Sequence, residues 1–468
     1  MSLPNTHFGA ARIGAILRDC KRLLFIGVGG VSMCALAEAA LINGFEVIGT
    51  DRSDSPRLER LRRLGAEIFV GHGACHGEGV DAAVFTVAIG EENPEYLAVK
   101  AAGKPLISRA DFLGYIMSRY RTRIGIAGMN GKSTTTAMCG HIFRGAGDPT
   151  VFGGAEADSL GGASCLIGQS KEQLILEACE YKDSFLDLCP NVAVILNVGM
   201  DHVDYFHSME QIRASFRAYA ELTGKDGRVI VNADDEEAMA SVRGISQEVI
   251  TFGTCETATF RATHITNEKG RRSFDFTHRG QFLCRISLLQ PGEFQISNGL
   301  AAATAAYACG ISPEVIARQL SSFAGVHRRM EFKGTLNGAD VYDDYAHHPS
   351  AIVSMLEGAR EMGYKRVLCA YQPHTYSRTA GLFNEFARAF DLADQSYFAD
   401  IYAAREQNVS GVSSLRLAEA VGSRAVYCGD FQTLASRLTR DAREGDLLLI
   451  MGAGDIEQTF ALLDLKQT

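Results

Sequence analysis

Gly125-Ile126-Ala127-Gly128-Met129-Asn130-Gly131-Lys132-Ser133-Thr134-Thr135-Thr136 is the stretch on which the reading of this chain turns. An apolar run, Arg123 to Ala127, enters a glycine-rich turn that carries a lysine and a hydroxyl, and a helical pattern follows. That order builds a cradle for nucleotide phosphates. Backbone N–H groups and a helix N-terminus face the anion, the lysine reaches the outer phosphates, and the hydroxyl of Ser133 can hold Mg²⁺. The strict pattern for such a loop has glycine at 126, where isoleucine stands. A lone Gly-Lys-Ser would carry little weight; the strand before it, the two glycines and the helix after it make the case. Gly128, Met129, Asn130, Gly131, Lys132, Ser133 and Thr134 are therefore the expected phosphate contacts.

Outward from this loop, the 468 residues point to about three domains. A net charge of −9 argues against a general nucleic-acid binder, which carries a basic excess. The twelve cysteines include no C-x-x-C pair, so neither a zinc site nor a disulfide framework is expected. Cys179, Cys309 and Cys369 read as small core hydrophobes, and a reducing, cytoplasmic setting fits. No apolar run approaches the ~18 residues of a membrane span, and no signal peptide is evident.

The expected fold class is α/β in three domains. Residues 1–121 alternate strand and helix, with strands at 23–27, 46–49, 67–70, 82–86 and 106–108, which predicts a Rossmann-like parallel sheet. The charged stretch Ser118-Arg119-Tyr120-Arg121-Thr122-Arg123 reads as a linker. Residues 122–325 form a P-loop ATPase-like domain, with later strands at 173–176, 192–197 and 229–232. Alternation around the turn Asn267-Glu268-Lys269-Gly270 predicts a small antiparallel insertion there. Residues 326–468 alternate again, with strands at 366–371, 396–398 and 447–451, and read as a second Rossmann-like unit.

A second glycine turn, Gly27-Val28-Gly29-Gly30-Val31-Ser32, follows the first strand, and Asp51 ends the second. This resembles a dinucleotide fingerprint with an acid about 20 residues on for a ribose, although serine replaces the third glycine. NAD is the default ligand of such a turn, but its backbone N–H groups would accept any nucleotide diphosphate. Gly27, Gly29, Gly30, Ser32 and Asp51 are the candidate contacts.

Carboxylates and histidines follow the phosphate loop. Glu177 ends the strand 173–176, where a metal-holding acid belongs, and Glu180 is the next candidate. His202, after the strand 192–197, is a candidate second ligand beside Ser133 and Glu177. In the third segment His347 and His348 are adjacent. On a strand they would face opposite ways, one into a site and one into packing. His374 and Arg378, four apart, share a face if that turn is helical. With Arg328-Arg329 they offer cations for carboxylate and phosphate recognition.

In this order, the motifs resemble those of the Mur ligases, ATP-dependent enzymes of peptidoglycan precursor assembly. The resemblance runs from Lys21 to Gly452-Ala453-Gly454-Asp455-Ile456 and rests on the turn 27–32, the loop 128–134, Glu177, Asp201-His202, Arg328-Arg329, the run Asp343 to Pro349 and Gln372-Pro373-His374. It implies a UDP-sugar-binding domain over 1–121, an ATP-binding domain over 122–325 and a C-terminal ligase domain over 326–468. It also implies ATP and Mg²⁺ as cofactors. Lys132 would bind ATP phosphates; Ser133, Glu177 and His202 would serve Mg²⁺; Asn298 and Arg328 would contact ATP. Asp344 and Tyr345 would close on the nucleotide or the reacting centre, and His348, His374 and Arg378 would line the amino-acid and muramoyl side.

Among the family's branches, the pattern is most similar to the one that adds L-alanine to UDP-N-acetylmuramate. Later-step members carry a carbamoylated lysine after Asp-His, and this chain has no lysine from 200 to 224. Several positions depart from the family pattern. Met129 stands for threonine, Phe294-Gln295 for His-Asn, His327 for glycine, and Thr375 for an arginine found in some alanine-adding members. A tripeptide-recycling ligase, an NAD-dependent oxidoreductase and a catalytically silent relative are the alternatives. A loop lysine has little packing role, so Lys132→Ala is expected to remove most activity and leave folding intact.

Overall fold

In a computed structural model, residues 3–202, 205–404 and 406–466 are described. The chain divides into two compact units. One comprises 1–261, 277–281 and 300–319; the other comprises 262–276, 282–299 and 320–468.

The first unit contains two parallel sheets. The N-terminal one has five strands in the order Glu67–Val70, Glu46–Asp51, Arg22–Ile26, Ala82–Phe85, Leu106–Ser108, all parallel. Arg22–Ile26 is central and its last four side chains are buried, as expected of a strand covered on both faces. The order of strand addition reverses beside it, so the turn 27–32 lies at the topological switch point, where ligands of such sheets bind.

In the central sheet the strand Thr122–Ala127 lies between Gln173–Glu177 and Val192–Ile195, parallel to both. Register pairs Ile126 with Glu177 and Ala127 with Ile195. The phosphate loop is thus flanked at one sheet edge by the residues that leave its two neighbours. Arg228–Asn232 and Glu248–Gly253 continue one side in parallel; Thr150–Ala157 and the antiparallel Ala163–Leu166 continue the other. The expected insertion is present as three strands, Phe260–Glu268, Arg271–His278 and Gln281–Pro291. The third was not evident from sequence, where its alternation begins only after two exposed residues.

The stretch 118–123 is a packed joint, not a linker. Tyr120 is 4 % exposed and its hydroxyl pairs with Thr150 Oγ1 at 2.9 Å. Thr122 and Arg123 already belong to a strand, and Arg123 Nε donates to the Cys189 carbonyl at 2.7 Å. Charge misleads here because arginine buries its stem while its head finds carbonyls.

The second unit carries a six-stranded sheet in the order Glu331–Leu336, Ala339–Asp344, Asp446–Met451, Arg366–Tyr371, Gln395–Ala399, Ala425–Gly429. The first pair is antiparallel and the rest parallel. One apolar cluster includes Leu356, Tyr371, Phe398 and Leu449; another includes Val341, Leu368, Leu434 and Ile450. His347 and His348 are not on a strand. The strand ends at Asp344, and His348 is the N-cap of the helix Pro349–Glu361. Proline at the first helical position sets that start.

Within the first unit, the helix Arg109–Met117 seats against the 3₁₀ segment Tyr181–Asp187 through Gly114. A Cβ at 114 would lie 1.9 Å from the Asp187 carbonyl oxygen. Gly114→Ala should therefore lower stability by about 1–3 kcal/mol through overpacking, read as a shifted midpoint of chemical denaturation. An unchanged midpoint would mean that this contact gives way freely.

Candidate active site

The phosphate loop is shaped by two glycines and one asparagine. Gly131 caps the helix Lys132–Arg144 in the left-handed region at φ 86°, which disfavours a side chain. A Cβ at Gly128 would meet Leu196 and the Asn197 backbone at 3.0–3.2 Å. Asn197, just beyond the neighbouring strand, clamps the loop. Its Oδ1 accepts from Asn130 N–H at 2.8 Å, its Nδ2 donates to the Asn130 carbonyl at 3.0 Å, and its own carbonyl accepts from Met129 N–H at 3.2 Å. The helix carries no side-chain cap, so its first N–H groups face the loop cavity as an anion site requires.

Lys132, Ser133, Glu177 and His202 are brought together, as expected, around Glu180. The Lys132 ammonium donates to the Gly128 and Met129 carbonyls at 2.5 and 3.2 Å and lies 3.1 Å from both Glu180 oxygens. Burial works against this ammonium, but Glu180 and Glu177 outweigh it and hold its pKa up at about 12. Ser133 Oγ donates to Glu177 Oε2 at 2.7 Å. His202 Nε2 is 3.9 Å from Glu180 Oε1 and 3.8 Å from Asp201 Oδ2, with its ring 4.6 Å from that of Tyr181. His202, Lys182 and Asp183 all have φ between 51° and 55°, a strained region for such residues and one that clusters at functional sites.

These groups fit a Mg²⁺ ion of the substrate-sharing kind. Among the described residues no ready-made cluster of three His, Cys, Asp or Glu exists. A hydroxyl and a carboxylate already face one another at Ser133 and Glu177, and the buried Glu180 carboxylate is held by Lys132. Mg²⁺ is commonly held by one or two carboxylates, waters and substrate phosphates in this way.

At the first glycine turn, Gly27 and Val28 donate to the Thr50 carbonyl at 2.8 and 2.9 Å. Gly29 N–H donates to Asp51 Oδ2 at 2.8 Å, so Asp51 braces the turn that it was expected to complement. Gly30 precedes the helix Val31–Ile42 and offers no side-chain cap. Ser32 Oγ accepts from Arg109 Nη1 at 3.2 Å.

In the second unit, Arg328 donates to the Gly452 carbonyl at 2.6 Å, lies 3.1 Å from Glu457, and stacks over Tyr345 at 5.1 Å. Asp344 is buried and accepts from Met330 and Ala346 N–H groups at 2.8 and 2.7 Å. Burial raises the Asp343 pKa to about 7 despite Arg328, 3.6 Å away. Asn298 is buried and donates to Gln295 Oε1 at 3.2 Å. Arg378 and His374 do meet, with Nη1 3.3 Å from Nδ1, but not on one helical face: the helix begins at Tyr376, and His374 pairs with Tyr402 in a β-bridge before it. It is His347 whose ring approaches His374, at 5.8 Å, while His348 Nδ1 is engaged by Ser350 in its helix cap.

Comparison with known proteins identifies the architecture. Sequence profiles match over residues 22–121 (Mur ligase family, catalytic domain), 126–306 (Mur ligase middle domain) and 328–454 (Mur ligase, glutamate ligase domain). The chain belongs to the Mur ligase family. It is 42 % identical over 445 residues to the UDP-N-acetylmuramate–L-alanine ligase of Caldanaerobacter subterraneus subsp. tengcongensis, covering 94 % of this chain and 96 % of that one. It is 41 % identical to the enzyme of that name from Clostridium acetobutylicum, covering 93 % and 96 %. The crystal structure of UDP-N-acetylmuramate-alanine ligase from Thermotoga maritima superposes with a TM-score of 0.79 at 26 % identity, over 94 % of this chain and 97 % of that one.

Sequence reasoning on this Mur ligase missed Asn197 as the loop clamp and Glu180 as the lysine's partner. The signal for Asn197 was its place directly after a buried strand. For Glu180, no signal separated a lysine partner from a metal ligand.

Lys132 is buried and paired, so the expectation that Lys132→Ala leaves folding intact is corrected. That variant should lose activity and also lose about 3–5 kcal/mol of stability, the cost of leaving Glu180 as an unpaired buried charge. Adding Glu180→Gln should recover most of the loss in denaturant melts. A second expectation concerns pH. Burial and the nearby Arg378 hold His347 well below its ordinary value and lower His374 to about 4, from 6.5. Both are neutral when folded, whereas the unfolded chain takes up their protons below about 6.5. Stability of the second unit should thus be full above about pH 6.5 and fall as pH drops toward 4. His347→Gln with His374→Gln should flatten that dependence in unfolding midpoints between pH 7.5 and 5.

Proposed function

We propose that this Mur ligase joins L-alanine to the lactyl carboxylate of UDP-N-acetylmuramate at the expense of ATP, a step of peptidoglycan precursor synthesis. The observation that carries this reading is the near full-length likeness to the alanine-adding enzymes. The grouping of Lys132, Ser133, Glu177 and His202 around Glu180 supports it. We assign sugar-nucleotide binding to residues 1–121, ATP binding to 122–325 and the remaining ligase functions to 326–468.

A carboxylate is a poor electrophile. Transfer of the γ-phosphoryl group makes it an acyl phosphate; the alanine amine then attacks the acyl carbon, and phosphate leaves. The protein's contribution to such a transfer is positioning and charge stabilisation. The N–H groups of the loop 128–131 cradle the phosphates, and the Lys132 ammonium neutralises charge on the transferring group. Asn197 fixes the loop so that these donors need not reorganise. Bound Mg²⁺, held by Ser133 and Glu177 with His202 beside them, would supply Lewis-acid stabilisation of phosphate oxygens. Holding two reactants in line can supply roughly 7–11 kcal/mol of the barrier. Choice of L-alanine over glycine or L-serine rests on a methyl or hydroxyl, worth ~1–3 kcal/mol.

The reading is tested by Mg²⁺-dependent phosphate release from ATP with UDP-N-acetylmuramate. Release should require L-alanine; release with a preformed tripeptide instead would assign the chain to peptide recycling. Glu177→Gln should raise the Mg²⁺ concentration needed for half-maximal release, and an unchanged titration would move the metal to Glu180.

A further inference from the structure

Arg109 begins the helix Arg109–Met117, at the C-terminal edge of the N-terminal sheet. Its side chain reaches back to the glycine turn, where Nη1 donates to Ser32 Oγ at 3.2 Å. That is its one hydrogen bond among the described residues, and it has no ion pair there. An arginine carries five N–H donors, so most of this guanidinium's donors are uncommitted. Nearby arginines differ. Arg57 donates to the Gly29 carbonyl at 3.2 Å and is neutralised by Glu156 at 3.3 Å, and Arg60 forks onto Glu38 at 2.8 and 3.0 Å. Arg109 is the half-buried cation at this turn with no carboxylate at ion-pair distance among the described residues; burial lowers its pKa, and the more distant charges of Cys179, Asp187 and Glu177 offset that only in part. Leaving a half-buried guanidinium without a close counter-charge is costly, and a ligand anion reduces that cost.

The turn itself points to the same anion. Gly30 gives the helix Val31–Ile42 no side-chain cap, and Ser32, the residue that Arg109 touches, lies in its first turn. The orphan N–H groups there and the guanidinium approach one place from two elements. We propose that Arg109 is a substrate-positioning residue. Its free N–H groups grip the diphosphate of the sugar nucleotide, with Ser32 holding the guanidinium in place. The planar fork suits two phosphate oxygens at once, which a lysine cannot match. This inference rests on reading the turn 27–32 as the sugar-nucleotide site.

The test is calorimetric titration of the full chain with UDP, UDP-N-acetylglucosamine and UDP-N-acetylmuramate, for the natural protein, Arg109→Ala and Arg109→Lys. Arg109→Ala should weaken all three by about ten- to a hundredfold, as expected for loss of a charged hydrogen-bonded pair. It should raise KM for UDP-N-acetylmuramate and leave KM for ATP and L-alanine in place. Arg109→Lys should recover part of the affinity. If the alanine variant does not fold, the lysine variant carries the test, with a weaker but measurable loss for UDP itself. Unaltered UDP affinity in both variants would overturn the proposal, as would a loss confined to UDP-N-acetylmuramate, which would place Arg109 on the lactyl carboxylate. Failure of the natural protein to bind any of the three would instead overturn the reading of the turn.

Discussion

Everything around the phosphate loop depends on the parallel packing of three strands, Gln173–Glu177, Thr122–Ala127 and Val192–Ile195. Parallel register carries the chain out of all three at one edge, so residues some 50 and 70 positions beyond the loop arrive beside it. Glu177 and Glu180 come from one neighbour and Asn197 and His202 from the other. Without that register the loop would be a glycine turn with an unopposed lysine. With it, the lysine has a carboxylate partner and the loop backbone has an amide clamp.

A chain of net charge −9 that binds anionic substrates needs local cations insulated from its general field. The structure supplies them singly. Lys132 is buried against Glu180, Arg328 is held by carbonyls of the 452–454 segment and by Glu457, and Arg109 stands at the first glycine turn. Each is positioned by neighbours that constrain its direction, which is what separates a binding cation from a solvated one.

Much of this was legible in the sequence because it is local. Glycine turns between an apolar strand and a helix have few physical readings, and both turns sit where they were expected. The parallel strands with continuous apolar runs were found within a residue or two. What escaped was either non-local or masked by composition. Asn197 meets Asn130 across 67 positions and Ser32 meets Arg109 across 77, distances over which one chain gives no pattern. The strands Thr150–Ala157, Ala163–Leu166, Glu248–Gly253, Glu331–Leu336 and Ala425–Gly429 were missed; each carries partly exposed residues, and glycine interrupts or ends four of them. The joint at 118–123 was misread because its arginines hide a buried tyrosine. The two adjacent histidines were placed on a strand that in fact stops three residues earlier.

The tight seat of Gly114 against the Asp187 carbonyl has a consequence for selectivity. The helix that begins with Arg109 and the segment that follows Glu180 meet there at backbone distance, and both glycine turns lie in one compact unit. On the proposed assignment, two anion sites carried by one unit would act as a ruler. A molecule that occupies the first turn through its diphosphate presents its far end to the second only if the connecting sugar has the right length. Substrate identity would then partly be read as distance, before any side chain contacts the group that reacts.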